Sequence, residues 1–370
     1  MPKWNYRDES KKISKSILKD KTTEELVESR DFIKGLLALK KADKLHKTYV
    51  NGTKKAIQYN EMDRVFVDYR FDGTATGRLS CAAYTAQKPM GVSFHTLPRD
   101  TNDNIRSLFV APKGSVFMAA DYSAMELRVL AHVAKEEKMQ YAFNADADLH
   151  TYTAQLLFNK KEITKEERQI AKTVSFLIVY GGGAFNLAET MGIPMARAEG
   201  IIENYRNVYP GIFKYMDHVN SYIKRTGYAY TIFGRRRNLP DVYSKDRTVV
   251  NRALRQGLNF TIQSTASDIL LCGLLGTNKV FTERSLSAKV VATVHDSIEI
   301  VCPKEEAFEV AEIVHDQLVN NPFMKSNFPI DFAVPFKIDL ELGKSFGEVK
   351  PIIYEGSVPT NIDKVLNELR

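Results

Sequence analysis

The sequence predicts an α+β fold in which a sheet domain is interrupted by a helical insertion. Three observations support this. Segments with strand character gather in two groups, residues 64–122 and 288–347, and helix-patterned segments fill most of the interval. That interval carries strong helix punctuation, with Thr164 before one helical run and Gly181, Gly182 and Gly183 after it. At Asp121 an apolar strand passes directly into an apolar helix, which places a charge at the rim of a sheet.

Taken in order, residues 22–47 space their apolar side chains helically behind a threonine cap with acids in the first turn. They predict one or two basic amphipathic helices. RVFVDYRF (64–71) alternates like a half-buried strand. GSVFMAADYS (114–123) is a glycine-led apolar run ending at Asp121, and helical spacing resumes at Ala124. TKEERQIAKTVSFLIVYGGG (164–183) is a capped helix stopped by glycines. After Pro194 come helices mixing Tyr and Arg, then a turn-rich basic stretch at 227–247. Residues 250–276 are helical in pattern. AKVVATVHDSIEIVCP (288–303) predicts a hairpin with His295, Asp296 and Ser297 at its turn, and FKIDLELGKSFG (336–347) a last strand.

The chain has 370 residues, 44% of them hydrophobic, enough for a large core. No run reaches the roughly 18 apolar residues of a membrane span, and residues 1–15 lack the apolar segment of a secretory signal. A cytoplasmic protein is expected. Cys81, Cys272 and Cys302 form no CxxC pair, which argues against a disulfide framework or a cysteine-ligated zinc. The net charge is +7, and two segments, 1–60 and 203–255, each carry a surplus of +7, leaving an acidic remainder. Solvated helix faces would account for this. So would a grip on a polyanion at two places, with carboxylates elsewhere kept for metal ions.

Arg168, Lys172, Phe176 and Tyr180 recur every four residues, each step turning about 40° on a 3.6-residue helix, so they share one broad face. The two cations suit a phosphate chain and the two aromatics a sugar and base, although a surface stripe joined to a core has the same pattern. Asp121 and Asp296 each stand at the end or tip of a strand. Singly they read as a helix cap and a turn residue. Brought together, they would suit Mg²⁺, which takes one or two carboxylates plus substrate phosphates. Glu126 is a further acid within an apolar helix, where a carboxylate is costly unless paired.

DYSAMELR (121–128), the R-x3-K-x3-F-x3-YG pattern of Arg168–Gly181, and VHDS (294–297) resemble motifs A, B and C of the family A DNA polymerases, the bacterial DNA polymerase I type. TATGRLS (74–80), DLH (148–150), GRRRNLPD (234–241) and LNFTIQSTASD (258–268) resemble further family segments in the same order, so the likeness runs from about residue 25 to the C-terminus. The resemblance implies a right-hand polymerase fold, with an antiparallel palm sheet, a helical fingers insertion and a truncated helical thumb. By analogy, residues 1–70 are a partial thumb, 71–145 and 252–370 the palm, and 146–251 the fingers.

The implied activity is template-directed addition of dNTPs to a primer 3′ end, by two-metal nucleotidyl transfer with release of pyrophosphate. Position by position, Asp121 and Asp296 match the ligands of two Mg²⁺ ions. Lys172, Arg168 and His150 match residues that hold the triphosphate, Lys172 being carried over as catalytic as well. Phe176 packs on the deoxyribose, Tyr180 stands at the templating end of the helix, and Glu126 is the gate against a 2′ hydroxyl. Arg78, Arg255, Asn259, Gln263 and His295, with Arg235 and Arg236 of the fingers block, match residues that contact primer-template DNA.

The chain also departs from the pattern. Ser297 replaces a glutamate in motif C, and Glu299 offers a partial compensation. Phe94-His95-Thr96-Leu97-Pro98 replaces a family segment that contacts the primer or template. Only about 70 residues precede TATGRLS, without an acidic exonuclease motif. The expectation is the polymerase part of a larger or split enzyme, weak in DNA grip alone, with room for a separate chain supplying an exonuclease or the rest of the thumb. A single-subunit RNA polymerase shares the palm logic, but Glu126 and TATGRLS favour deoxynucleotides. A DNA-binding subunit without chemistry would have no use for Asp121, Asp296, Arg168 and Lys172 together.

Overall fold

The computed structural model describes residues 23–71, 73–82, 92–98 and 104–369. The chain divides into two compact units, residues 1–68 with 83–92, and residues 69–82 with 93–370.

In the first unit, helix α1 (Thr23–Lys44) runs through a wide turn, Leu45–Val50, into α2 (Asn51–Asn60). The helical path thus extends beyond the expected end at residue 47, because the polar stretch NGTKK conceals its periodicity. Every residue from Asp31 to Lys44 is exposed, including Phe32, Leu36 and Leu37, so the apolar stripe of α1 is not buried as amphipathic packing would have it. Residues 1–22, with part of the first basic surplus and the start of the expected thumb, lie outside the described residues.

The second unit opens at Tyr69, within β1 (Asp68–Arg70), which forms a small sheet with β2 (Ser80–Ala82). Of the strand expected over 64–71, only Asp68–Arg70 is strand. Its main sheet has five antiparallel strands in the order β6-β7-β3-β8-β9. These are β3 (Ser115–Tyr122), β6 (Lys289–Val294), β7 (Ser297–Pro303), β8 (Ile338–Ser345) and β9 (Glu348–Ile352). Alternation sets the two faces of β3. Val116, Met118, Ala120 and Tyr122 enter the main hydrophobic core, which leaves Asp121 on the opposite face.

Between β3 and β6 lies the helical insertion: α3 (Met125–Val133), α4 (Glu137–Asn144), α5 (Leu149–Phe158), α6 (Lys165–Val179), α7 (Ala184–Met191), α8 (Met195–Val208), α9 (Pro210–Thr226) and α10 (Arg247–Glu283). A hairpin of β4 (Tyr228–Tyr230) and β5 (Arg236–Asn238) occupies the turn-rich basic stretch. Helix α6 starts on a capping box: Thr164 Oγ1 accepts from Glu167 N at 3.2 Å, and Glu167 Oε2 accepts from Thr164 N at 3.0 Å. Helix α10 outruns the expected span at both ends. Asp246 caps it, and Ile262, Ala266, Ile269 and Leu270 join the same core as β3.

Two further differences concern the sheet. Ser297 pairs with Val294 as the first residue of β7, so the turn contains only His295 and Asp296. His295 alone of the pair has positive φ, 58°, the sign pattern of a II′-type hairpin turn. The expected last strand is β8, and β9 follows it across Phe346 and Gly347; EVKPI lacks the alternation that would announce a strand. Among the described residues no helix is long and apolar enough to cross a membrane.

The β8–β9 register shifts beside Gly343, where a methyl group would overlap the Glu348 carbonyl. Gly343→Ala should therefore cost about 2 kcal/mol in denaturant unfolding. An unchanged midpoint would show that the edge strand yields more easily than its geometry indicates.

Candidate active site

The site is built where β3 and β7 end together. Asp121 is the cross-strand partner of Ser297 on one side and of Asp339 on the other. Tyr122 N donates to Asp296 O at 3.2 Å. Asp121 and Asp296, distant in sequence, thus occupy neighbouring positions at the sheet rim. Ala124, with φ 53°, turns the chain from β3 into α3 and brings Glu126 into the first helical turn.

Glu126 is only 6% exposed. Its Oε1 accepts from Arg78 Nη2 at 2.6 Å and its Oε2 from the Tyr180 hydroxyl at 3.0 Å. Burial pushes its carboxyl above the usual range, while the Arg78 charge and the bonds from Tyr180 and Gln263 pull it down. Arg78 Nη2 also lies 3.1 Å from Asp296 Oδ1, so one guanidinium joins Glu126 to the turn acid. Arg78 is aimed by a tight turn in which Gly77 has φ 73° and Thr74 Oγ1 donates to Arg78 O at 2.6 Å.

The four-residue stripe on α6 forms one face, as its spacing predicts. Lys172, Phe176 and Tyr180 line a pocket of about 730 Å³ with Gly181 and Arg255. Lys172 has no hydrogen-bond or ion-pair partner among the described residues. Arg168 differs: its fork is occupied by Asp148, Nε to Oδ2 at 2.7 Å and Nη2 to Oδ1 at 3.0 Å. Asp148 also caps α5 through Thr151 N. Burial works to raise the Asp148 carboxyl, but the bonds from Arg168 and Thr151 hold it well below the usual range. His150 sits 6.0 Å from the Phe176 ring, and its Nδ1 is buried without a partner. Burial lowers its pKa, with Lys172 and Arg168 adding to the effect against Asp148.

Arg255, Asn259 and Gln263 form a second stripe, on α10. Arg255 packs its stem so close to Gly181 that a Cβ there would lie 2.7 Å from Arg255 Cγ, at a backbone φ of 68°. Asn259 Oδ1 is buried with no hydrogen-bond partner. His295 stacks on His95, centroids 5.4 Å apart, and His95 Nε2 lies 3.1 Å from Thr293 O. The divergent segment after TATGRLS therefore still supports the turn. Arg235 binds Asp268, with Nη2 to Oδ1 at 2.5 Å, beside Gly77. Arg236 is not brought into this cluster: it stands over the Tyr228 ring on the β4–β5 hairpin.

Several contributors escaped the sequence reading. Asp148 and Asp268 lie inside the DLH and LNFTIQSTASD segments, whose sequence does not show their partners across the fold. Tyr69, whose hydroxyl donates to Thr293 O at 2.6 Å, carries no signal of its own, and His95 stands in the segment that departs from the family pattern.

Among the described residues no three His, Cys, Asp or Glu side chains converge as a ready metal cage. Two rim carboxylates with a cation already drawn to one of them fit Mg²⁺, whose other ligands are substrate oxygens and water.

A sequence profile for DNA polymerase family A matches residues 3–348. The chain belongs to DNA polymerase family A. It is 32% identical over 333 residues to DNA polymerase I of Chloroflexus aurantiacus, covering 89% of this chain and 34% of that protein. It is 33% identical over 331 residues to DNA polymerase I of Lactococcus lactis subsp. cremoris, covering 88% of this chain and 36% of that one. Among solved structures it resembles the POL domain of Pol1 from M. smegmatis in complex with DNA primer-template and dNTP. The TM-score is 0.76 at 28% identity, over 85% of this chain and 53% of that chain. The α+β right-hand polymerase fold expected from the motifs is thus the family fold observed. The chain spans about a third of the length of the curated relatives it matches.

One acid of this family A chain is unusual in its burial. Glu299, the partner of Ala119 on Asp121's face of the sheet, is pushed up to about 7, chiefly by burial, with Ser297 and Arg106 opposing and Asp121 and Glu341 adding to the rise. Between about pH 4.5 and 7 the folded chain keeps a proton that the unfolded chain gives up, so this group's contribution to stability falls as pH rises through that window. Glu299→Gln has no such proton. Its melting temperature relative to the parent, measured in chelator, should be higher at pH 8 than at pH 5, and a difference independent of pH would refute the assignment.

Proposed function

We propose that the chain is a template-directed DNA polymerase, adding dNTPs to a primer 3′ end with release of pyrophosphate. One arrangement carries the reading: Asp121 and Asp296 at neighbouring positions of the sheet rim, beside a pocket lined by Lys172, Phe176 and Tyr180. The relative from M. smegmatis, solved with primer-template and dNTP, supports the same partners here. Residues 71–145 and 252–370 would serve as palm, 146–251 as fingers and 1–70 as part of the thumb. A separate chain could complete the thumb or supply an exonuclease.

Asp121 and Asp296 would hold two Mg²⁺ ions, which supply charge stabilisation for an in-line displacement at the α-phosphate. Lys172, unpaired and exposed, donates from Nζ to triphosphate oxygens; Arg168 shares that task only by sharing its fork with Asp148. His150, kept neutral by burial, offers an imidazole N–H rather than a charge. Phe176 supports the sugar. Glu126, buried and held by Arg78 and Tyr180, would stand as the gate against a 2′ hydroxyl. Arg78, Arg255, Asn259, Gln263 and His295 would contact the primer-template through minor-groove edges, which are alike in every correct pair. Arg235 and Arg236 would act on the template side.

Primer extension with Mg²⁺ tests the reading. Asp296→Asn and Asp121→Asn should each slow extension at least about a thousandfold while DNA binding persists; near-parental turnover in either would reject the two-aspartate site. Glu126→Ala should raise ribonucleotide incorporation relative to dNTP. Equal discrimination would move the gate elsewhere, and a parental preference for ribonucleotides would favour an RNA polymerase.

A further inference from the structure

Glu299 has no part in the chemistry proposed above. It lies on Asp121's face of the sheet, one cross-strand pair further from the rim: Asp121 faces Ser297, and Ala119 faces Glu299. Its side chain is 1% exposed. Oε1 accepts from Ser297 Oγ at 2.7 Å, and Oε2 has no hydrogen-bond partner. Ser297 Oγ also lies 3.0 Å from Val294 O, and Val294 and Ser297 close the turn that bears Asp296. A continuous polar path therefore leads from the buried acid to the root of that turn.

Packing does not account for an acid at this position. Buried polar atoms nearly always have partners, and a carboxylate taken out of water is costly without a bonded cation. Arg106 acts on Glu299 electrostatically, but its guanidinium donates to Leu97 O and covers the Phe346 ring. A β-branched apolar residue would satisfy the strand without that cost. A divalent cation at the rim would offset it, because charges interact strongly across a weakly screening interior.

We propose that Glu299 is a positioning residue for the cation site at Asp121 and Asp296. Through Ser297 Oγ it fixes the turn presenting Asp296, and its charge draws a divalent cation to the rim. The inference rests on the two-aspartate reading and adds to it a residue that touches neither substrate nor metal.

Calorimetric titration of the chain, bound to primer-template, with Mn²⁺ at pH 8, where Glu299 is ionised, tests it. Glu299→Gln, which keeps the shape, and Glu299→Val should each weaken Mn²⁺ binding about tenfold, while Glu299→Val melts no lower than the parent. The double variant S297E/E299V, which moves the carboxylate to the residue facing Asp121, should recover most of the affinity. If Glu299→Gln binds Mn²⁺ within about twofold of the parent while Asp296→Asn loses binding, the inference falls and the two-aspartate reading stands. If Asp296→Asn also binds Mn²⁺ normally, the reading itself has failed.

Discussion

The register of β3 between β7 and β8 is the constraint on which the rest depends. It sets Asp121 opposite Ser297 and Asp339, and Tyr122 against the backbone of Asp296. Since strand side chains alternate, a slip of one residue would send Asp121 into the core and bring Tyr122 out of it. Val116, Met118 and Ala120, all nearly inaccessible, prevent that slip, because each would have to leave the core. Site geometry is therefore fixed by hydrophobic burial on the opposite face of the same strand.

The acids at this rim illustrate how a site holds charge at a cost in stability. Glu126 is buried yet bonded on both oxygens, and Arg78 spreads one guanidinium over it and Asp296. Glu299 has less support, with one hydroxyl on Oε1 and nothing on Oε2. Exposed Asp339 and Glu341 on β8 add negative potential to the same face. A surface of that kind repels further anions unless cations come with them. The cationic stripes, Lys172 on α6 and Arg255 on α10, provide the complementary side for a polyanion.

How legible this was in the sequence depended on the range of the interaction. The strand into Asp121, the capping box at Thr164 and the hairpin around Asp296 were readable because each is set by residues close together. The shared face of Lys172, Phe176 and Tyr180 followed from helical geometry alone. The stripe that suits Arg168 to a phosphate is visible in the sequence, whereas its partner Asp148, across a helix pair, is not. The strand over 64–71 is overestimated because alternation marks extended backbone and not the pairing that makes it a strand. Strand β9 was missed for the opposite reason: its pairing with β8 is imposed by the fold on residues with little strand character.

On the proposed function, the contacts that hold the site in this structure are also those a substrate would displace. Tyr180, a little under half exposed, bonds Glu126 at the position proposed for the sugar, and Arg78 bonds Asp296 at the position proposed for metal. On the proposed reading, a cation arriving at Asp296 weakens its attraction to Arg78, and a sugar arriving over Glu126 competes with the Tyr180 hydroxyl. Both contacts meet at Glu126, through Arg78 on one oxygen and Tyr180 on the other. On that reading Glu126 is the residue through which Arg78 at the metal end and Tyr180 at the nucleotide end are joined, and the pairing its place in an apolar helix demands is met by those two groups.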